Sequence, residues 1–474
     1  MDDTPLKESI SSKDIINDFE ENNSSKNKYH KKIIIASIIV FGLLAITIIV
    51  LIFTVFNKNS KKTRSLLEKL KKYKTPYYYY NTSLLNETVD ELISLSKEYD
   101  LKIHFSLKSN FNVKVVNLLA SHPEIGADCV SGGEVDFALK HFPKDKIVFA
   151  GIGKTDEEIE NAVNNSIFCI NVESFEELEN LNDICNRLNK QINFGVRINP
   201  NIAPHTHEKI ITGNNETKFG IYIDECEKDF YDKIEEIYKK KNPNYKNLNF
   251  IGLHFHIGSQ ITNFTDFVRL CKKIDKYVDG LNSRNIAITY LNLGGGLGID
   301  YDEPTLHPIA DFRTYFDTYR NNLTCLKKIG PNYNQNKKIT LHFELGRSLI
   351  AQSGNLISKV IYVKQGIKKK FAILDAGMND LIRPAMYGAL HQIERVEPSN
   401  ETEEYDVVGP ICESSDVFAK NYTMDKLVKN DYVMIRSAGA YGESMASRYN
   451  YREIPKGYLD FEFHRFFNPL QKNR

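Results

Sequence analysis

Lys108 lies in the run Phe105-Ser106-Leu107-Lys108-Ser109-Asn110, which follows Leu101-Lys102-Ile103-His104. Together they read as a short strand with a lysine at its carboxyl end, and a helical pattern starts in the stretch from Asn112 to Ala120. Strand ends of this kind hold the chemistry of α/β barrels. An amine there forms a Schiff base when its surroundings lower its pKa. Taken alone, Lys108 reads as a surface charge, one of 62 Lys and Arg in the chain. Six further stretches carry reactive types. Leu293-Gly294-Gly295-Gly296-Leu297-Gly298 presents consecutive glycines whose N–H groups can approach a phosphate, or which form a tight turn. Glu344-Leu345-Gly346-Arg347-Ser348 offers a carboxylate to keep a heterocyclic nitrogen protonated and an arginine for phosphate or carboxylate; its alternative is a surface ion pair. In His254-Phe255-His256-Ile257-Gly258-Ser259-Gln260 two histidines share a strand face. No third ligand is evident, so no metal is expected, and His256 reads as a ring that stacks on a flat cofactor or as a core histidine. After position 354 come Arg383 and Tyr387 four apart, Cys412 beside Glu413 and Asp416, and Tyr441 between small residues; each also has a plain structural reading.

The elements that must position these groups alternate. Candidate strands are Lys102–Leu107, Ile125–Cys129, Ile147–Ala150, Phe168–Asn171, Ile192–Ile198, Phe250–His254, Ile288–Leu293 and Ile339–Phe343. Amphipathic stretches such as Thr155–Asn164 and Ser174–Leu188 fall between them. Eight such units predict a (β/α)8 barrel over 95–350 rather than an open doubly wound sheet. From Gly354 the beat changes: Ile357–Val363, Phe371–Leu374 and Tyr432–Arg436 predict a mostly β domain over 351–474. The segment 75–94, with Thr75-Pro76-Tyr77-Tyr78-Tyr79-Tyr80, reads as a strand that joins it.

The 62 basic and 61 acidic residues nearly cancel, which argues against nucleic acid as a partner. The seven cysteines are odd in number and show no C-x-x-C spacing, which suits reduced thiols. Residues 1–32 read as a disordered polar tail. Residues 33–56 are uncharged and apolar, long enough to cross a bilayer of about 30 Å, and predict a single transmembrane helix. A basic linker follows at 57–74. Its lysines predict a single-pass membrane protein with its catalytic part on the cytoplasmic side.

From Thr75 to Tyr451, in order, these stretches resemble the diaminopimelate decarboxylases, barrel enzymes of the alanine-racemase-like group of pyridoxal-phosphate proteins. Arg197-Ile198-Asn199-Pro200, His205-Thr206-His207 and Thr217-Lys218-Phe219-Gly220 are also similar to that family's text. The resemblance implies that Lys108 is the Schiff-base lysine and that His256 stacks on the pyridine ring. It implies that Ser259 and Gly294, Gly295 and Gly296 hold the phosphate, with Asp128 and Gly346 also in contact with the cofactor. Glu344 would pair with the pyridine nitrogen, and Arg347 would bridge cofactor and substrate. Arg383 and Tyr387 would receive a substrate carboxylate, Glu413 the distal amino group, and Tyr441 would touch both ligands. Cys412 would donate the proton. It further implies a homodimer in which the Cys412–Glu413 segment completes the partner's site.

The reaction so implied is decarboxylation of meso-2,6-diaminopimelate to L-lysine and CO2, the last step of lysine biosynthesis. A distal carboxylate calls for a cation such as Arg383, which a decarboxylase of ornithine or arginine has no use for. That other substrate class is one alternative; an inactive, membrane-anchored regulatory homologue is the other. Three departures bear on the choice. Leu345 stands where the family has proline, Ser415 where it has glycine, and Arg448 where it more often has asparagine. Ser415 would be strained if that backbone required positive φ.

Overall fold

The computed structural model describes residues 67–327 and 338–460. The chain divides into two units, Met1–Leu70 and Lys71–Arg474, and everything below belongs to the second. A strand, β1 (Tyr77–Tyr80), leads into helix α1 (Thr82–Tyr99). Eight strands then close into a barrel: β2 (Leu101–Ser106), β3 (Ile125–Cys129), β4 (Ile147–Phe149), β5 (Cys169–Val172), β6 (Ile192–Arg197), β7 (Leu248–His254), β8 (Tyr290–Asn292) and β9 (Thr340–Leu345). Every pairing is parallel, and β9 returns to β2 with Glu344 opposite His104. Helices outside and side chains inside bury both faces of these strands. For that reason β3 and β5 are buried at every position and show no two-residue alternation.

The intervening helices begin one residue later than the apolar periodicity alone suggests. Helix α2 (Asp156–Asn165) is capped by Thr155 in a reciprocal box with Glu158, and α3 (Phe175–Leu188) by Ser174. A cap has extended backbone while its side chain takes the N–H of the third helical residue, so it belongs to the pattern without being helical.

Inside the barrel the side chains form layers. Near the N-terminal ends of the strands, His104 Nε2 and His342 Nδ1 lie 2.9 Å apart and the two rings stack. The Tyr290 ring meets His342 edge-on, with centroids 4.6 Å apart. Above them the Tyr290 hydroxyl accepts from Asn292 Nδ2 (2.6 Å) and from Asn171 Nδ2 (3.2 Å). This polar layer separates the histidine pair from the carboxyl-end mouth.

The second sheet runs β12–β15–β10–β11–β13–β14, built from β10 (Gly354–Gln365), β11 (Lys370–Leu374), β12 (Ile393–Arg395), β13 (Thr402–Val408), β14 (Val417–Asp425) and β15 (Tyr432–Ile435). β1 lies antiparallel to β10, with Tyr80 opposite Gly354, and parallel to β16 (Gly457–Leu459). An α/β barrel with a β domain is thus the fold.

The transmembrane part of the expected fold is corrected. The apolar stretch 33–56 lies outside the described residues. Among the described residues no helix is long and apolar enough to cross a membrane. The 19-residue α4 (Thr265–Ser283) shows why: Phe267, Leu270, Ile274, Val278 and Leu281 face the core while lysines such as Lys273 and Lys276 face outward. The expected single-pass membrane location falls with that helix.

Candidate active site

Lys108 follows β2 in a single 3-10 turn (Leu107–Ser109), which turns its side chain to the carboxyl-end mouth. Its Nζ is 3.7 Å from Asp128 Oδ2 on β3. Burial by itself disfavours the ammonium, but Asp128, with Tyr441 and Glu344, outweighs it and pushes Lys108 up to about 12. The surroundings therefore raise its proton affinity, where the sequence reading asked for a lowered one. Asp128 Oδ2 also accepts from Ser106 (2.8 Å), whereas Oδ1 is buried without a partner. Burial and the nearby Glu344 raise Asp128 above the usual carboxylate range.

Glu344, the penultimate residue of β9, is buried. Oε2 lies 3.1 Å from His254 Nε2 at the end of β7, and Oε1 accepts from Asn292 Nδ2 at 2.7 Å. Burial opposes its charge, but His254, Lys108 and His256 prevail and hold it well below the usual range. His256, two residues past the strand, is the opposite case. Burial, then Lys108 and Arg197, depress it well below 6.5, so it is a neutral ring. Its Nδ1 accepts the N–H of Gly295 (3.2 Å).

The glycine run makes a concave loop that side chains would fill. Gly294 and Gly296 have φ of 64° and 99°. A Cβ on Gly295 would sit 2.0 Å from the Glu344 carbonyl oxygen, and one on Gly294 2.8 Å from His256 Nδ1. Ser259 Oγ accepts from Arg347 Nη2 (3.0 Å), and Arg347 Nη1 donates to Tyr301 (2.6 Å). The Arg347 guanidinium also lies 5.0 Å from the Tyr441 ring centroid. Gly346 packs its backbone against Ser109, where a Cβ would meet the serine at 3.0 Å.

Lys108, His256, Ser259, Glu344, Arg347, Arg383, Tyr387 and Tyr441 border one cavity of about 490 Å³. Its lining holds six cations, Lys108, Arg197, Lys209, Lys218, Arg347 and Arg383, against the single carboxylate of Glu344. Arg197 is matched from behind by Glu173 (2.7 Å). Arg383, in α5 (Arg383–Tyr387), is buried. It is held through Nη1 by His391 Nε2 (2.8 Å), and its Nε has no partner. Among the described residues no carboxylate pairs with it. Burial presses Arg383 below its ordinary value and takes His391 down to about 3, so that the imidazole is a neutral acceptor. A lysine nucleophile, an ionised carboxylate, a neutral ring, a glycine loop and surplus cations fit pyridoxal phosphate. The orphaned oxygen of Asp128 fits a polar group arriving beside Lys108.

Cys412 and Glu413 are not brought to this cavity. Both are exposed on the β domain, Cys412 N–H donating to Asn450 (3.0 Å) and Glu413 accepting from the Tyr449 hydroxyl. Ser415 is not among the residues of positive φ, so a serine fits without backbone strain. Leu345 is buried in β9, paired to Phe105. Sequence reasoning assigned no role to Arg197, to His254 and Asn292 as holders of Glu344, or to Tyr301, His391, Lys209 and Lys218. Arg197, His254 and Asn292 each end a barrel strand, the one feature that could have selected them.

The sequence model of the "Pyridoxal-dependent decarboxylase, pyridoxal binding domain" family matches residues 85–351. A diaminopimelate decarboxylase of Bacteroides thetaiotaomicron is 48% identical over 398 residues, covering 84% of this chain and 98% of that one. Another, from Aquifex aeolicus, is 37% identical and covers 82% and 87%. The crystal structure of diaminopimelate decarboxylase from Helicobacter pylori complexed with L-lysine is similar at a TM-score of 0.73 and 36% identity, covering 83% of this chain and 93% of its own. The chain belongs to the diaminopimelate decarboxylase family of pyridoxal-dependent decarboxylases.

Proposed function

We propose that the carboxyl-end mouth of the barrel is where this chain decarboxylates meso-2,6-diaminopimelate to L-lysine and CO2. The chain is a pyridoxal-phosphate decarboxylase, and diaminopimelate is the substrate its relatives' names support. The observation that carries the substrate assignment is Arg383, a buried cation on the cavity with no carboxylate partner among the described residues. An uncompensated buried charge is costly, and an incoming carboxylate relieves it. A substrate with a carboxylate at its far end supplies one; ornithine and arginine do not.

Bound pyridoxal phosphate supplies an aldehyde carbon for amines and a ring that delocalises the electron pair left when CO2 departs. Each side chain has a task around it. Lys108 Nζ would hold the aldehyde carbon, and Asp128, 3.7 Å away, would orient the lysine beside it. Ionised Glu344 keeps the ring nitrogen protonated. Neutral His256 offers a flat face without adding charge. Ser259, the N–H groups of Gly294 to Gly296 and Arg347 take the phosphate, and Tyr387 assists Arg383 at the distal carboxylate. Tyr441, on the cavity wall, would contact cofactor and substrate, and Gly346 lets the Arg347 turn pack on Ser109. Cys412 and Glu413 act across a homodimer: Glu413 reads the distal amine of substrate in the partner subunit, and Cys412 protonates the carbon. Their exposure outside their own cavity supports that reading.

The test is turnover of meso-diaminopimelate, ornithine and arginine side by side, with Lys108→Ala as control. Lysine and CO2 from diaminopimelate alone, absent in Lys108→Ala, is the expected result. Equal turnover of ornithine would overturn the substrate assignment.

A further inference from the structure

Asn292 is buried at the end of β8, and both its amide hydrogens and its carbonyl oxygen are bonded. One Nδ2 hydrogen goes to Tyr290 Oη at 2.6 Å and the other to Glu344 Oε1 at 2.7 Å, while Oδ1 accepts the N–H of Gly294 at 2.9 Å. Reversing the amide would face its oxygen to the carboxylate and its NH2 to an N–H group, so only one orientation satisfies all three partners. Tyr290 is itself tied to Asn171 on β5, which anchors the network across the barrel. Backbone bonds reinforce the link: Glu344 N–H donates to the Gly294 carbonyl at 2.7 Å. Glu344 and Gly294 lie where the proposed function puts the two ends of the cofactor, the ring nitrogen and the phosphate.

We propose that Asn292 is a positioning residue that couples the two ends of the cofactor site, fixing the Glu344 carboxylate and the first turn of the glycine loop in one register. Phosphate seated in the loop then holds Glu344 in place for the ring, and a ring engaged by Glu344 holds the loop in place for the phosphate. The coupling rests on the reading of Glu344 and the loop given above. It adds a residue that lies behind the cavity's lining.

The experiment measures dissociation constants of cofactor-free protein for pyridoxal 5′-phosphate and for pyridoxal, which lacks the phosphate. It uses the wild type, Glu344→Gln, Asn292→Ala and the double variant. In the wild-type background, Glu344→Gln is expected to weaken pyridoxal phosphate at least about fivefold more than it weakens pyridoxal, the range of coupling found for groups in one hydrogen-bond network. In the Asn292→Ala background the two penalties are expected to agree within about twofold. A difference that persists without Asn292 overturns the coupling while leaving the site assignment standing. If Glu344→Gln weakens neither ligand in the wild type, the site assignment fails and the coupling with it. Should Asn292→Ala fail to fold, Asn292→Leu keeps the size but removes both donors and the acceptor without adding a charge beside Glu344. The same loss of ligand dependence is then expected, and its retention would overturn the proposal. A residue that only supported the fold would lower affinity for both ligands without changing their ratio.

Discussion

At the N-terminal mouth of the barrel a cavity of about 760 Å³ is bordered by Lys97, Lys102 and Lys146 and by Asp100, Glu124 and Asp145. At the carboxyl-end mouth the cavity is smaller, about 490 Å³, and its six cations face one carboxylate. The histidines differ in the same sense. His104 and His342 at the first mouth bond to each other and stay neutral, His104 held down to about 4 by burial. At the second, His254 is spent on Glu344 and His256 on the glycine loop. Volume alone would have chosen the wrong end. What distinguishes the working mouth is the positive charge left over once Asp128 and Glu173 have taken Lys108 and Arg197, Arg383 above all, because a cation paired internally has little left for a ligand.

The sharpest break of that contrast uses Lys108. Lys108→Ala is expected to lower kcat by about a thousandfold or more, as loss of a nucleophile does; a decarboxylation assay with product lysine quantified reads it. Arg383→Leu should raise KM for diaminopimelate by roughly a hundredfold, since it truncates one partner of a buried charged contact. Its effect on ornithine, whose far end is an amine, should be much smaller. Mixing inactive Lys108→Ala with inactive Cys412→Ala sharpens the site's composition. Refolded together, they should recover about a quarter of wild-type activity if each site draws Lys108 and Cys412 from different subunits of a two-fold dimer. No recovery would confine each site to one chain.

The smallest catalytic effect belongs to the other mouth. His104→Asn should leave kcat and KM within about twofold, and a larger loss there would break the contrast between the two ends. Its signature is in stability against pH. The unfolded imidazole titrates near 6.5 and the folded one near 4, so the unfolded chain binds more protons between those values. Stability is intact above pH 6.5 and is lost as pH falls toward 4. The difference amounts to roughly 3 kcal/mol for this histidine. Denaturant titrations from pH 7 to 4 should show a shallower decline in His104→Asn.

The barrel was legible in the sequence because its strands are short apolar runs between amphipathic helices, and a count of eight closes. Strand β8 was the least legible: Ile288–Leu293 contracts to Tyr290–Asn292, since the glycines that follow leave the ladder to form the loop. Strands β13 and β14 gave little warning, because a sequence such as Thr402–Val408 opens on exposed or half-exposed Thr402, Glu403 and Glu404 and then buries Tyr405, Asp406 and Val407 in succession, so no two-residue alternation runs through it. Of the site, residues in recognisable runs were nameable: Lys108, the glycines, Glu344 and Arg347. The network behind them was not. Asn292 and His391 matter through atoms on distant strands and loops, and a lone asparagine or histidine carries no sign of what it will meet.

The tyrosine strand β1 sits between β10 and β16, so a segment that precedes the barrel in the chain is completed only by segments that follow it. During synthesis Tyr77–Tyr80 emerges early, and its four aromatic side chains have no sheet to enter until Gly354–Ile357 and then Gly457–Leu459 leave the ribosome. Contacts of such sequence separation close late and slowly. The nascent chain therefore carries an exposed aromatic segment throughout barrel elongation, an opening for chaperones while it lasts and a hazard for aggregation if translation stalls before β10.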